Sequence, residues 1–188
     1  MDLHRIQLKF YLNPPAHLSP EEAFRAFSAW IPVTPDQTLV DVADYSHLPD
    51  GPLTVLVGHQ ANYTLDHSDH RLGLVYARKQ PLEGGLLQAL VEALKACRRL
   101  EQEPELDGKV SFAGSEFLLV ANDRLRAPNT EATHQALAPQ LDAALARLYS
   151  GPAALSRDPN PKRRFNLLVR TEASFAVADL LHRFEQAA

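Results

Sequence analysis

Hydrophobic and polar residues alternate without interruption near the start of the chain. The apolar positions of this first pattern are Ile6, Leu8, Phe10 and Leu12. Because successive side chains of a β-strand point to opposite faces, the alternation predicts a strand over residues 5–12 with one face buried.

Similar alternation, or a continuous apolar run, predicts further strands at residues 38–44, 53–57, 61–66, 71–79, 110–121 and 164–170. The run 53–57 is typical of a strand buried on both faces. A polar turn joins the third and fourth of these segments, which predicts a β-hairpin. Gly114 interrupts the segment 110–121, so this segment is predicted to form one strand or two.

Apolar residues recur at helical spacing in four other segments. They predict amphipathic helices over residues 20–31, 87–103, 130–150 and 173–186. Ser19, followed by Pro20 and two glutamates, is typical of a helix N-terminus. Pro32 is predicted to stop the first helix, and Pro139 is predicted to kink or split the third.

The order of these elements indicates the fold class. Consecutive strands predominate in the middle of the chain, which favours an α+β fold with a largely antiparallel sheet and helices packed on it. A length of 188 residues is typical of a single globular domain, here residues 1–188. In the alternative, residues 173–188 are a helical appendage whose Phe175, Leu181 and Phe184 contact a second copy or a partner.

Composition narrows the class of protein. With 45% hydrophobic and 22% charged residues, the chain is ordinary for a globular domain, and no segment has the ~18 apolar residues of a membrane span. The net charge of −4 disfavours nucleic-acid binding. The single cysteine, Cys97, fits a reducing compartment, and the first residues lack a signal-peptide pattern, so we expect a cytoplasmic protein that binds no membrane.

Acids and imidazoles interrupt the β-rich segment 39–79, and this is the most informative feature of the chain. A polar group inside a strand costs free energy unless it is paired, hydrated or bound to something. We therefore predict a ligand-binding site formed by this segment together with one later arginine: Asp41, Asp44, His47, His59, Asn62 and Arg124.

Local roles for the same residues stay open. Asp44 and Ser46 would accept backbone N–H bonds and close a loop, and His59 would be hydrogen-bonded within the fold. Two histidines and two aspartates lie close together in residues 66–70, as in metal sites. They fall in a predicted turn, where side chains diverge into water, so no metal site is assigned.

Basic residues form a second candidate. Arg78, Arg124 and Arg164 would clamp a phosphate or a carboxylate if the fold brought them together. In the alternative, each is solvated on the surface. Nearby, Asn129 or Thr130 is expected to cap the helix that follows.

The motifs VDVADYSH at residues 40–47, LVGH at 56–59, NDRL at 122–125 and APNT at 127–130 resemble those of a group of uncharacterised bacterial proteins. The resemblance covers residues 5–165. It implies a bacterial cytosolic protein and supplies no catalytic residue.

Three functions follow as hypotheses. The first is a non-catalytic accessory domain that binds a ligand or a protein, because the polar segment would line a cleft. The second is a metal-assisted hydrolase in which Asp41, Asp44, His47 and His59 converge. The third is a self-assembly or scaffold protein that uses the last helix. No nucleotide-binding glycine motif or nucleophile elbow is present, and no cofactor or substrate is implied.

Overall fold

The alternating segments form one β-sheet in the computed structural model, which describes residues 3, 5–35, 38–81 and 84–185. Its strands are β1 (Ile6–Leu12), β2 (Leu39–Asp44), β3 (Pro52–Gly58), β4 (Ala61–Asp66), β5 (Gly73–Arg78), β6 (Phe112–Ala121), β7 (Ala154–Ser156) and β8 (Asn166–Arg170). The α-helices are α1 (Pro20–Val33), α2 (Gly85–Glu101), α3 (Glu131–Leu148) and α4 (Val177–Glu185). Short 3₁₀ turns lie at Ser68–His70 and Pro104–Leu106.

The strands follow the order β2-β3-β4-β5-β1-β6-β8-β7 across the sheet, and every neighbouring pair is antiparallel. The predicted α+β class with an antiparallel sheet is therefore confirmed. The predicted hairpin is formed by β4 and β5, with Ala61 opposite Arg78 and Asp66 opposite Gly73. The three-residue edge strand β7 was not predicted, because its length is too short for a periodic signal.

The helices cover one face of the sheet. The residues of one row on this face lie opposite one another across six strands: Leu56, Tyr63, Tyr76, Leu8, Leu119 and Leu167. Trp30 of α1 packs edge-on against Tyr63 with ring centroids 6.1 Å apart. Helix α2 contacts β1 and β5, α4 contacts β6, and α3 packs against α2 and α4. The buried side chains of both layers form one contiguous core.

The adjacent row of the sheet points the other way: Val55, Thr64, Val75, Lys9, Leu118 and Leu168. Within the described part of the chain, no helix covers this side, which we call the open face. Most of the side chains in this row are half-buried, whereas Lys9, like Tyr11 two residues further along the same face of β1, is only 6% exposed.

Prolines break the helices less than predicted. Ser19 and Glu22 form a reciprocal capping box at the start of α1, and the helix ends at Val33, one residue after Pro32. Helix α3 continues through Pro139, so the predicted split is wrong. Pro139 removes the N–H that would bind the carbonyl of Gln135, and both residues are exposed, so water can satisfy that carbonyl.

Gly114 lies inside the continuous strand β6 and does not divide it. A Cβ atom at this position would collide with the backbone carbonyl of Phe175. The N–H of Gly114 donates to that carbonyl at 3.2 Å, and the hydroxyl of Tyr149 donates to the carbonyl of Gly114 at 3.0 Å. The glycine therefore marks the close approach of another segment.

The C-terminal helix is part of the core. Leu181 and Phe184 are only 4% and 7% exposed, and Phe175 stacks on Tyr149 with ring centroids 5.5 Å apart. Of the side chains predicted for a homo-oligomer contact, Leu181 and Phe184 are thus buried against the protein's own chain, and Phe175 is half-buried. None of the described helices is long and apolar enough to cross a membrane.

Candidate functional site

The two aspartates predicted for the site lie on the edge strand β2, and their side chains are exposed. They are three residues apart, so they point to opposite faces of the sheet. Asp41 accepts the N–H of Val42 at 2.8 Å, and Asp44 accepts the N–H of Ser46 at 2.8 Å. The second bond lowers the pKa of Asp44. Both carboxylates therefore serve their own backbone, which is the local role that the sequence left open.

The two histidines of the predicted site lie at opposite ends of the β2–β3 hairpin. His47 follows Asp44 and stacks on Tyr45, whereas His59 follows Gly58, which pairs with Leu39. Five residues of strand separate these ends, or about 17 Å. The described residues contain no group of three or more histidine, cysteine or acidic side chains suited to a metal. The cluster required for the metal-dependent hydrolase does not form.

Asn62 and the 66–70 turn also have structural contacts. Asn62 accepts the N–H of Gly58 at 3.4 Å. Asp66 forms an ion pair with Lys9 at 2.6 Å, and their side chains are only 13% and 7% exposed. Asp69 and His70 are exposed, as expected for a turn.

The β4–β5 turn folds over the open face and builds a wall there. Arg71 lies over the ring of Tyr11, 3.7 Å from its centroid, and binds Glu116 through two hydrogen bonds of 2.9 and 2.7 Å. Arg170 binds the same carboxylate at 2.8 Å. These partners, Arg71 first, lower the pKa of Glu116, while burial raises the pKa of Tyr11. The wall is therefore held by charge-assisted bonds.

Beside this wall is a cleft of about 630 Å³ on the open face, between the β6–α3 loop and the β7–β8 loop. Its floor consists of Leu118 and Val120 from β6 and Leu168 from β8. Six cationic side chains line it: Arg71, Arg124, Arg157, Lys162, Arg163 and Arg164. Only Asp69 and Asp158 contribute carboxylates to the lining. We call this site the basic cleft.

Half of these cations have carboxylate partners. Arg71 binds Glu116, Arg157 lies 3.4 Å from Glu131, and Arg163 lies 3.3 Å from Asp158.

The other three are not neutralised within the described part of the chain. Arg164 donates only to the uncharged amide oxygens of Gln7 and Asn122, at 3.0 Å each. Arg124 and Lys162 have no side-chain partner there. On a chain whose net charge is −4, this concentration of positive charge attracts anions.

The loop that carries Lys162 and Arg164 is held in place by a buried amide. Asn129, 5% exposed, donates to the carbonyls of Asp158 and Asn160 at 2.7 and 2.9 Å and accepts from Arg157 at 3.2 Å. Thr130 is the N-cap of α3, with its hydroxyl accepting from the N–H of Thr133. Of the two capping candidates, Thr130 therefore caps the helix and Asn129 anchors the loop.

Two of the three arginines predicted to converge do so. Arg124 and Arg164 line the basic cleft, but Arg78 donates to Gln60 and to the backbone of Gln80 at the other side of the sheet. Arg157 and the apolar floor were missed.

The sequence carried one signal for this cleft. Arg124 follows the predicted strand 110–121, and Lys162 and Arg163 precede the predicted strand 164–170. If two such strands are antiparallel neighbours, the end of the first lies beside the start of the second.

Comparison of the chain with protein-family models, curated proteins and solved structures finds no match. The roles of the residues therefore rest on the geometry described above.

Proposed function

We propose that this protein is a non-catalytic binding domain for a ligand that carries a phosphate or carboxylate group, and that the ligand binds in the basic cleft. The supporting observation is the set of three un-neutralised cations, Arg124, Lys162 and Arg164, on two loops that face each other across the cleft. A guanidinium group presents paired N–H donors that match two oxygens of a phosphate or a carboxylate.

Preorganisation favours a binding site over a solvated surface. Lys162 and Arg164 follow a loop that Asn129 anchors at two carbonyls, and Asn166 accepts the N–H of Asp158 and donates to the carbonyl of Arg164. Ordering this loop should therefore cost little free energy when a ligand binds. The hydrolase and self-assembly hypotheses have less support, because their residues are dispersed or buried.

Isothermal titration calorimetry with inorganic pyrophosphate tests the proposal. We expect measurable binding at low ionic strength that weakens as salt is added, because screening reduces the attraction. The double variant Arg124→Gln/Arg164→Gln removes two charged donors, each contributing roughly 1.5 kcal/mol or more, so the affinity should fall about 100-fold.

The matched control is Lys95→Gln/Arg98→Gln, which likewise removes two positive charges, here from exposed positions on α2. Its affinity for pyrophosphate should stay within about twofold of the parent protein, since α2 lies on the helix-covered face of the sheet, opposite the open face that carries the cleft. The proposal is rejected if pyrophosphate does not bind, or if the control and the double variant of the basic cleft lose affinity equally.

A further inference from the structure

The basic cleft is much larger than a single inorganic anion requires. Its volume of about 630 Å³ lies within the range of sites for small organic molecules, ~300–1,000 Å³. All of its cations except Arg71 lie on the two loops, whereas its floor is apolar. A phosphate or carboxylate held at the loops would leave the floor uncovered, so the cleft fits a ligand with two chemically different parts.

The floor is an apolar surface on two neighbouring strands. Leu118 of β6 lies directly opposite Leu168 of β8, and Val120 is the next residue on the same face of β6. All three side chains are half-buried. Side chains on one face of neighbouring strands stand side by side, so they offer one continuous apolar contact area, and a rigid aromatic ring covers such an area with less loss of conformational entropy than a flexible chain.

The polar side chain at the edge of the floor, Asn166, already forms hydrogen bonds within the protein. Asn166, opposite Val120, accepts from the N–H of Asp158 at 3.3 Å and donates to the carbonyl of Arg164 at 2.9 Å. Recognition of an occupant therefore depends on the apolar floor and the free cations. Arg124 and Arg164 can serve both parts, because a guanidinium plane binds phosphate at its edge and stacks on a ring with its face.

Building on the proposed function, we infer that the occupant of the basic cleft is a nucleotide. Its phosphates bind Arg124, Lys162 and Arg164, and its base lies on the floor formed by Leu118, Val120 and Leu168. In a nucleoside diphosphate, the diphosphate group supplies the negative charge that balances these three cations. The base buries the apolar surface that an inorganic anion leaves in water.

Three ligands that share a diphosphate group test this inference by calorimetry: ADP, inorganic pyrophosphate and dimethylallyl diphosphate. We expect ADP to bind about tenfold tighter than the other two, since only ADP carries a planar base that covers the floor. The comparison uses the parent protein and does not depend on any variant folding.

A floor variant provides the second measurement. Leu168→Ser should weaken ADP binding about tenfold and leave pyrophosphate binding within about twofold, because it changes only the surface under the base. The matched control is Leu155→Ser on β7, which replaces a leucine that is 36% exposed and does not line the cleft. Its affinity for both ligands should equal that of the parent protein.

The outcomes separate this inference from the proposed function. If pyrophosphate or dimethylallyl diphosphate binds as tightly as ADP, the base is not recognised and the inference fails while anion binding stands. If Leu168→Ser and Leu155→Ser lower the ADP affinity equally, the base does not lie on the floor. If pyrophosphate does not bind at all, the proposed function itself fails.

Discussion

Two regions of the molecule differ in how their side chains come together. One is the polar segment of residues 39–79, and the other is the basic cleft. In the first, Asp41, Asp44 and His59 are close in sequence but point to opposite faces or lie at opposite ends of a hairpin. In the second, Arg124 and Arg164 are 40 positions apart, yet they line one cleft because β6 and β8 are neighbours. Pairing between distant strands, and not density of polar residues along the chain, creates the site.

The difference also concerns what each carboxylate or cation binds. On β2, the carboxylates accept N–H groups of the adjacent backbone, which satisfies them without a ligand. In the cleft, the side chains of Arg124 and Lys162 have no partner among the described residues. A cluster of polar groups indicates a binding site only where some of their bonding capacity is left over.

The largest contrast is expected between two asparagines, one from each region. Asn129→Ala removes three hydrogen bonds from a buried side chain and leaves the carbonyl of Asp158 without its donor, so the free energy of unfolding should fall by about 3 kcal/mol. Asn62→Ala removes one bond of 3.4 Å from a half-buried side chain and should cost less than about 1 kcal/mol. Urea denaturation of both variants measures the difference.

The same pair of variants separates stability from binding. Asn129→Ala should also weaken pyrophosphate binding, because the loop that carries Lys162 and Arg164 loses its anchor. Asn62→Ala should leave that affinity unchanged. Equal losses of stability in the two variants would show that Asn129 does not organise the cleft.

A smaller contrast is expected between two carboxylates whose pKa values are both lowered. Glu116 is held by Arg71 and Arg170, whereas Asp44 is exposed and held by Ser46. Because the pKa of folded Glu116 lies below its ordinary value of 4.5, its stabilising contribution is complete above that pH. It is lost as the pH falls through the lower, folded value.

The variant Glu116→Gln should therefore lose about 1–3 kcal/mol of stability at neutral pH, since the side chain of Glu116 is only 13% exposed but its arginine partners are more exposed. Below pH 4.5, its stability should fall less steeply with acid than that of the parent protein. Asp44→Asn should change this slope less. Urea titrations at a series of pH values measure both, and parallel slopes for the parent protein and Glu116→Gln would contradict the assignment.

The fold was predictable where a local pattern indicates an element. The positions of β1, β3 and the start of α1 were predicted correctly from alternation, a continuous apolar run and the capping pair Ser19 and Glu22. The burial of the two strands was not, because β1 is buried on both faces, whereas Val55 and Val57 of β3 are half-buried.

The sequence left open whether Gly114 divides its strand, and the predicted split at Pro139 was wrong, because the effect of both residues depends on what surrounds them. The glycine meets the backbone of Phe175, and the proline faces water, and neither neighbour is visible in the local sequence.

The site was predictable only in part. Arg124 and Arg164 were identified as candidate anion ligands, but nothing near them in the sequence shows that β6 pairs with β8 across the intervening α3. The apolar floor gave no functional signal, because Leu118 and Leu168 look like ordinary strand residues. Their role depends on the open face, which only the placement of the helices reveals.

The smallest effect is expected from the polar segment itself. The double variant Asp41→Asn/His59→Gln changes residues on or beside edge strand β2, which is separated from β8 by six strand spacings, or about 29 Å. That distance exceeds the physiological screening length of ~8 Å, so pyrophosphate affinity should stay within about twofold of the parent protein. Calorimetry measures this, and thermal denaturation with and without Mn²⁺ should show the same metal effect in both proteins. A tenfold loss of affinity, or a metal-dependent stabilisation present only in the parent protein, would show that the functional site includes β2. The conclusion that the polar segment is structural and the basic cleft is the binding site would then be wrong.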